Sequence, residues 1–301
     1  MTPTLDKAEY IPLLVISVLV IVANALICVV VFTKKTMQTY TNGFVCSLAV
    51  SDGLIGAVLL PMRLADVKGD IQGYIVCICL LAGVANVGIV TLDRYIAVFK
   101  PFRYETIMQK YFVTILLVAW LTVITVSLLP VFWSAHSAIH TIYVLCVQGT
   151  FVIFPYFLVF VSYFLIFRQV RKAVKTEKQL SLSVVLNSQG KCSVKAKHSM
   201  RVSNVSERKI ARLSIIIAAT FFLTWLPVEW LTFMFYTKQF WLIPDHLSLI
   251  SLYTIALGAL VDPMVYSFMK PDFRSAIKSI IRRKIAGVCG LRAEARELNV
   301  C

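Results

Sequence analysis

Charge is scarce in this chain. Only 15% of its 301 residues are Asp, Glu, Lys or Arg, while 59% are hydrophobic and the mean hydropathy is +0.81. A water-soluble domain of this size carries far more charge, so a bilayer must solvate much of the surface. Acids are the rarer sign, at 15 against 30 Lys and Arg. No nucleophile–base pair, glycine-rich phosphate loop or metal-ligand cluster stands out, so neither an enzyme activity nor a cofactor is expected. None of the eight cysteines falls clearly in a segment on the sparsely charged side, and no structural disulfide is expected. No cleavage site precedes the first apolar stretch, which is expected to be a retained signal anchor. The lone glycosylation sequon, Asn204-Val205-Ser206, falls on the strongly basic side.

What the chain does have is apolar length. About 20 apolar residues cross a hydrocarbon core of roughly 30 Å. By that measure seven spans are predicted, near 10–33, 43–64, 71–92, 111–133, 145–167, 210–236 and 243–268. The fold class is therefore an all-α membrane protein, a seven-transmembrane helix bundle. Basic residues in short loops favour the cytoplasm. All but four of the 30 Lys and Arg fall on one side, the exceptions being Lys7, Arg63, Lys68 and Lys238. That places residues 1–9 outside and gives the net charge of +15 a topological meaning, with anionic membrane lipid as a contact. Nucleic acid is not an expected partner. The spans make one domain over 10–268, with a flexible loop expected at 170–206 and a cytoplasmic tail over 269–301. The tail opens with Ala276, Ile277, Ile280 and Ile281 on one helical face and Lys278, Arg282 and Arg283 on the other. That is the pattern of a short amphipathic helix on the inner leaflet. Cys289 follows it and is a candidate for palmitoylation, or else a plain thiol.

Ionisable groups inside spans cost roughly 2.5–3.5 kcal/mol each at a helix centre, so the few present need a reason. They are Asp52, Glu229 and Asp262, with the amide of Asn24 at similar depth. Asn24, Asp52 and Asp262 fall on the inner halves of their helices and are expected to form one buried network. Interhelical glue and a cation- or proton-responsive site both fit. Pro130, Pro155, Pro227 and Pro263 lie within apolar spans and predict bent helices.

In order, one set per span, come Asn24; Leu48-Ala49-Val50-Ser51-Asp52; Asp93-Arg94-Tyr95 with Pro101; and Trp120 with Pro130. Pro155 with Tyr163, Phe221 with Trp225 and Pro227, Asp262-Pro263-x-x-Tyr266 and Phe273 follow. On these motifs the chain resembles the rhodopsin-like family of G-protein-coupled receptors over nearly its whole length. The resemblance implies a plasma-membrane receptor that binds an extracellular ligand (small molecule, lipid or short peptide) and activates a heterotrimeric G protein. It implies that Arg94 pairs with Asp93 and with Glu207 across the bundle at rest, and that release lets the sixth span swing on Pro227. Arg94, Tyr163 and Tyr266 would rearrange beneath the G protein, with Phe102 as an apolar plug into it. Serines of the 170–206 loop, rather than the tail, would recruit receptor kinase and arrestin.

The departures narrow the ligand. Gly69 stands where the family usually places a bridging cysteine, an absence shared by receptors of the melanocortin, lysophospholipid and cannabinoid groups. Val76 stands where aminergic receptors carry an acid, and Ala256 where opsins carry the retinal-linking lysine. The remaining pocket is expected from Val76, Cys77, Leu80, Trp225, Val228, Glu229 and Leu252. Trp225 and Glu229 lie four apart, hence on one helical face, which is expected to point inward because Trp225 resembles the family's toggle residue at the pocket floor. Glu229 is read either as counter-ion or protonatable sensor for a ligand, or as a hydrogen-bonding contact to a neighbouring helix. The rival class is a seven-span transporter or ion channel, which would call for repeated halves or a file of polar residues.

Glu207→Ala is expected to raise basal nucleotide exchange. Basal exchange equal to that of the parent at matched expression would remove Glu207 from the latch.

Overall fold

The computed structural model describes residues 7–67, 69–134, 137–187, 216, 219–220, 222–269 and 273–279. All regular elements among them are helical, as hydrocarbon requires of a chain with no barrel to close. The rods are α1 (Lys7–Thr33), α2 (Tyr40–Leu64), α3 (Asp70–Phe99) and α4 (Tyr104–Leu128), the last ending in a 3₁₀ turn at Leu129–Phe132. Rod α5 joins Ala138–Val147, a π turn at Gln148–Ile153 and Phe154–Asn187. Then come α6 (222–236), α7 (Leu247–Met269) and the short α8 (273–279). Six of these are long and apolar enough to cross a membrane, and α6 takes the remaining place in a seven-helix bundle.

Helix α3 runs through the middle, packed on α2, α4 and α5, while α1 lies against α2 and α7. Its Ala82, Val84, Val87 and Val90 are buried with Phe44, Val45 and Leu48 of α2. Between α1 and α2 the approach is closest at Gly56, whose added Cβ would meet the Ser17 carbonyl at 3.0 Å. The Ser17 hydroxyl donates to the Gly56 carbonyl at 2.6 Å, the small-residue contact that lets membrane helices touch backbone to backbone. Trp120 of α4 donates to Ser47 at 3.0 Å, and Ser47 donates to Asn86 at 2.6 Å, which belts α2, α3 and α4 together.

Prolines set the local irregularities. A proline has no N–H for the carbonyl four residues back, and hydrocarbon supplies no water in its place. Ahead of Pro61 and Pro155, α2 and α5 each widen into a π turn, at Ile55–Leu59 and Gln148–Ile153. Pro130 frees the Val126 carbonyl, and the Tyr143 hydroxyl of α5 donates to it. Pro263 frees the Ala259 carbonyl, and the Asn24 amide of α1 donates to that one at 2.9 Å.

One segment differs from the sequence reading. Helix α5 continues to Asn187, into the stretch expected to be a loop from 170, because no proline or glycine interrupts residues 156–189. In α8, Phe273 and Ala276 are buried in the main core cluster and Ile277 packs against it, so the described apolar face meets the bundle.

Asn24→Leu is expected to strand the Ala259 carbonyl and cost about 1–3 kcal/mol of stability, read as a lower thermal midpoint in detergent. Adding Pro263→Ala returns an N–H to that carbonyl and should recover most of the loss. A double variant no more stable than Asn24→Leu alone would show that the carbonyl is not the reason.

Candidate functional site

At one end of the bundle the Asp93 carboxylate is 1% exposed and fully engaged. Arg94 Nε donates to Oδ2 at 2.9 Å, and a second guanidinium nitrogen contacts both Oδ2 and the Thr41 hydroxyl. The Thr41 hydroxyl donates to Oδ2 at 3.0 Å, and the Tyr104 hydroxyl donates to Oδ1 at 2.6 Å. Thr41 is delivered there by the start of α2, where Thr39 caps the helix by accepting from the Asn42 amide at 3.3 Å. A buried ion pair is tolerable only when its remaining lone pairs are satisfied, and the two hydroxyls do that. The cluster ties the ends of α2, α3 and α4 into one unit.

Tyr95 turns away from it, stacking on Phe99 with centroids 4.5 Å apart and packing with Tyr163 and Ile166. Tyr163 is buried, its hydroxyl 3.3 Å from that of Thr91. Phe102 rides on a 3₁₀ turn at Pro101–Arg103 and is 100% exposed. Asp93 and Arg94 are thus paired, and Tyr163 packs with Tyr95. Glu207 and Cys289 lie outside the described residues, as does the side chain of Tyr266, whose backbone belongs to α7.

Halfway along, Asn24, Asp52 and Asp262 are all buried. Asp52 of α2 and Asp262 of α7 lie near enough to act on one another electrostatically. Two buried carboxyl groups that act on one another are not both charged unless a cation lies near. Asn24 stands at the same depth, but its amide serves α7 through the Ala259 carbonyl and its own helix through Val20 at 3.0 Å.

Nearer the other end, Val76 and Leu80 of α3, Val228 of α6 and Leu252 of α7 pack in one cluster. Leu80 and Val228 also join the main core, where Trp225 is buried and Cys77 lies at the edge. Six of the seven expected pocket residues thus converge. Glu229 is held by α5 instead: Gln148 Nε2 donates to its Oε2 and to its main-chain carbonyl, each at 2.9 Å. A cleft of about 270 Å³ opens beside this pair between α5 and α6.

The same end carries a second tie. Trp133 Nε1 donates to His140 Nδ1 at 3.3 Å, and His140 Nε2 lies 3.2 Å from the Tyr236 hydroxyl. Since indole only donates, Nδ1 accepts and Nε2 carries the proton. The chain links the ends of α4, α5 and α6. Gly69 has φ +112°, a backbone angle that strains any L side chain, so a cysteine would sit badly there. The five described cysteines, Cys28, Cys46, Cys77, Cys79 and Cys146, are free thiols.

Thr41, Tyr104, Asn86, Gln148 and His140 were not singled out by sequence. Asn86 and Gln148 carried the signal used for Asn24, an amide within an apolar span. The others look ordinary until the fold brings their partners across.

The family model described as 7 transmembrane receptor (rhodopsin family) matches residues 23–266. The octopamine receptor beta-2R of Chilo suppressalis is 23% identical, over 92% of this chain and 80% of its own length. A D(1)-like dopamine receptor of Oreochromis mossambicus is 25% identical, over 89% of this chain and 77% of its own. Neuropeptide FF receptor 2 of Mus musculus is 23% identical, over 94% and 73%.

Tyr104→Phe removes one donor from the Asp93 carboxylate and is expected to loosen Arg94, raising basal nucleotide exchange by up to about tenfold. Exchange unchanged in a well-expressed variant would mean the hydroxyl is not part of the restraint.

Proposed function

The chain belongs to the rhodopsin family of seven-transmembrane receptors, a G-protein-coupled receptor by descent, and on that premise we propose how its two ends divide the work. The Asp93–Arg94 end faces the cytosol and engages the heterotrimeric G protein; the Trp225 end, toward the outside of the plasma membrane, receives the ligand. The observation that carries this reading is the contrast at the Arg94 end. The Asp93–Arg94 pair, its carboxylate buried and its guanidinium 13% exposed, lies at the same end as Phe102, a wholly exposed phenylalanine on a short 3₁₀ turn. An exposed phenyl group at the same end as a restrained charge suits a surface that a partner covers once the restraint yields.

The ligand cluster of Val76, Cys77, Leu80, Trp225, Val228 and Leu252 is apolar and supplies no charge. The octopamine and dopamine receptors among the relatives take amines by name, yet the acid such receptors carry on α3 is Val76 here. An amine reaching this receptor would find its counter-ion on α6, at Glu229. Tyr266 and Glu207 complete the switch at the cytosolic end. Receptor kinase and arrestin would act through the serines between α5 and α6, and Cys289 would take a palmitoyl chain against the inner leaflet. A transporter or channel is not favoured, since the relatives found are receptors.

Phe102→Ala is expected to lower agonist-stimulated nucleotide exchange by about tenfold, the scale of one lost aromatic anchor, with ligand affinity measured without G protein unchanged. An unimpaired exchange rate would take Phe102 out of the contact.

A further inference from the structure

The cleft between α5 and α6 combines two features that rarely occur together at membrane depth. Its floor is polar: the Glu229 carboxylate and the side chain of Gln148, which is 6% exposed. Both hydrogens of the Gln148 amide are committed to Glu229, and Gln148 Oε1 has no hydrogen-bond partner among the described residues. The floor therefore presents the Glu229 carboxylate and Gln148 Oε1 as acceptors, beside the Tyr156 hydroxyl, which can donate or accept. No Lys, Arg or His lines the cleft to answer them. Its rim is the opposite. Ile153, Phe222, Leu226, Trp230 and Phe233 are large, apolar and 43% to 55% exposed, the character of side chains turned to hydrocarbon.

We propose that this cleft binds the ammonium head of a long-chain amine dissolved in the bilayer, which enters sideways between α5 and α6. The head completes the floor by donating to the Glu229 carboxylate and to Gln148 Oε1. The chain lies along Phe222, Leu226 and Phe233, out into the lipid. An anionic head would face the Glu229 carboxylate with no cation in the lining to answer it, and be refused. A small water-soluble amine would leave the apolar rim against lipid and gain nothing from it. Membrane entry also fits an outer end where the described helix ends are joined by a hydrogen-bonded chain from Trp133 to Tyr236. The proposal rests on the reading of Glu229 as a ligand counter-ion, and it adds the ligand's chemistry and route.

The test uses the full-length receptor in lipid nanodiscs without G protein, and a dodecylamine carrying a diazirine in its chain. Light should label peptides from 148–156 and 222–233, in competition with unlabelled dodecylamine but not with dodecanol. Glu229→Gln should reduce labelling by about tenfold or more, since it removes a charge-assisted bond. Ile153→Trp, which fills the rim and leaves both acceptors, should reduce it equally and serves as the check should Glu229→Gln fold poorly. Equal labelling by an alcohol-headed probe, or labelling undiminished in a folded variant, overturns the site. Competition by butylamine as strong as by dodecylamine overturns the membrane route. Because labelling needs no G protein, its failure is separate from failure of the receptor reading, which only nucleotide exchange reports.

Discussion

Within hydrocarbon a carbonyl that loses its helical N–H has no water to turn to, and this receptor is organised around repairing that loss. Each proline in a span creates such a carbonyl. At Pro61 and Pro155 the helix widens locally to absorb it. At Pro130 and Pro263 a side chain from another helix donates instead, Tyr143 in one case and Asn24 in the other. The second solution does more than satisfy an acceptor. It turns a local defect into a tie between rods, so α4 is fastened to α5 and α1 to α7 where each helix is least regular. A bend and its brace thereby come from the same residue, and the bundle is held while its helices keep points of weakness.

Polar contacts are distributed along the axis by the same economy. In the middle they are few and buried, with Asp52 against Asp262 and the Ser47–Asn86–Trp120 belt. At the Arg94 end they are charged and crowded, because water lies close and an ion pair can be partly buried at tolerable cost. At the opposite end a neutral series of a tryptophan, a histidine and a tyrosine stands beside the single Gln148–Glu229 pair. The charged end is held by directed bonds, while the apolar cluster around Trp225 and Leu252 is held by packing alone.

Much of this was legible in the amino-acid order. Seven apolar runs gave the bundle, and the order of the motifs from Asn24 to Tyr266 gave the family. What escaped was the identity of partners. A hydroxyl in an apolar helix ordinarily returns its proton to a carbonyl one turn back, as Thr33 does to Val29 at 2.6 Å. Nothing in sequence separates Thr33 from Thr41, whose hydroxyl reaches a carboxylate on another helix. The spacing of four between Trp225 and Glu229 was read as a shared inward face. Four residues advance a helix by a little more than one turn, so Glu229 is offset far enough to reach α5. Asn24 was placed in a carboxylate network by depth alone, whereas its amide is engaged by two main-chain carbonyls.

The wide turn at Gln148–Ile153 also acts as an index mark. One extra residue in a helical turn rotates everything before it by about 100° relative to everything after. Gln148 meets Glu229 only with that rotation in place, while Tyr163 keeps its own direction further along the same rod. A descendant that lost a single codon in this turn would swing a neighbour of Gln148 toward α6 and leave the Tyr163 half of the helix untouched. The chemical taste of the α5–α6 cleft can therefore drift by deletion, in one step, without any exchange of one side chain for another.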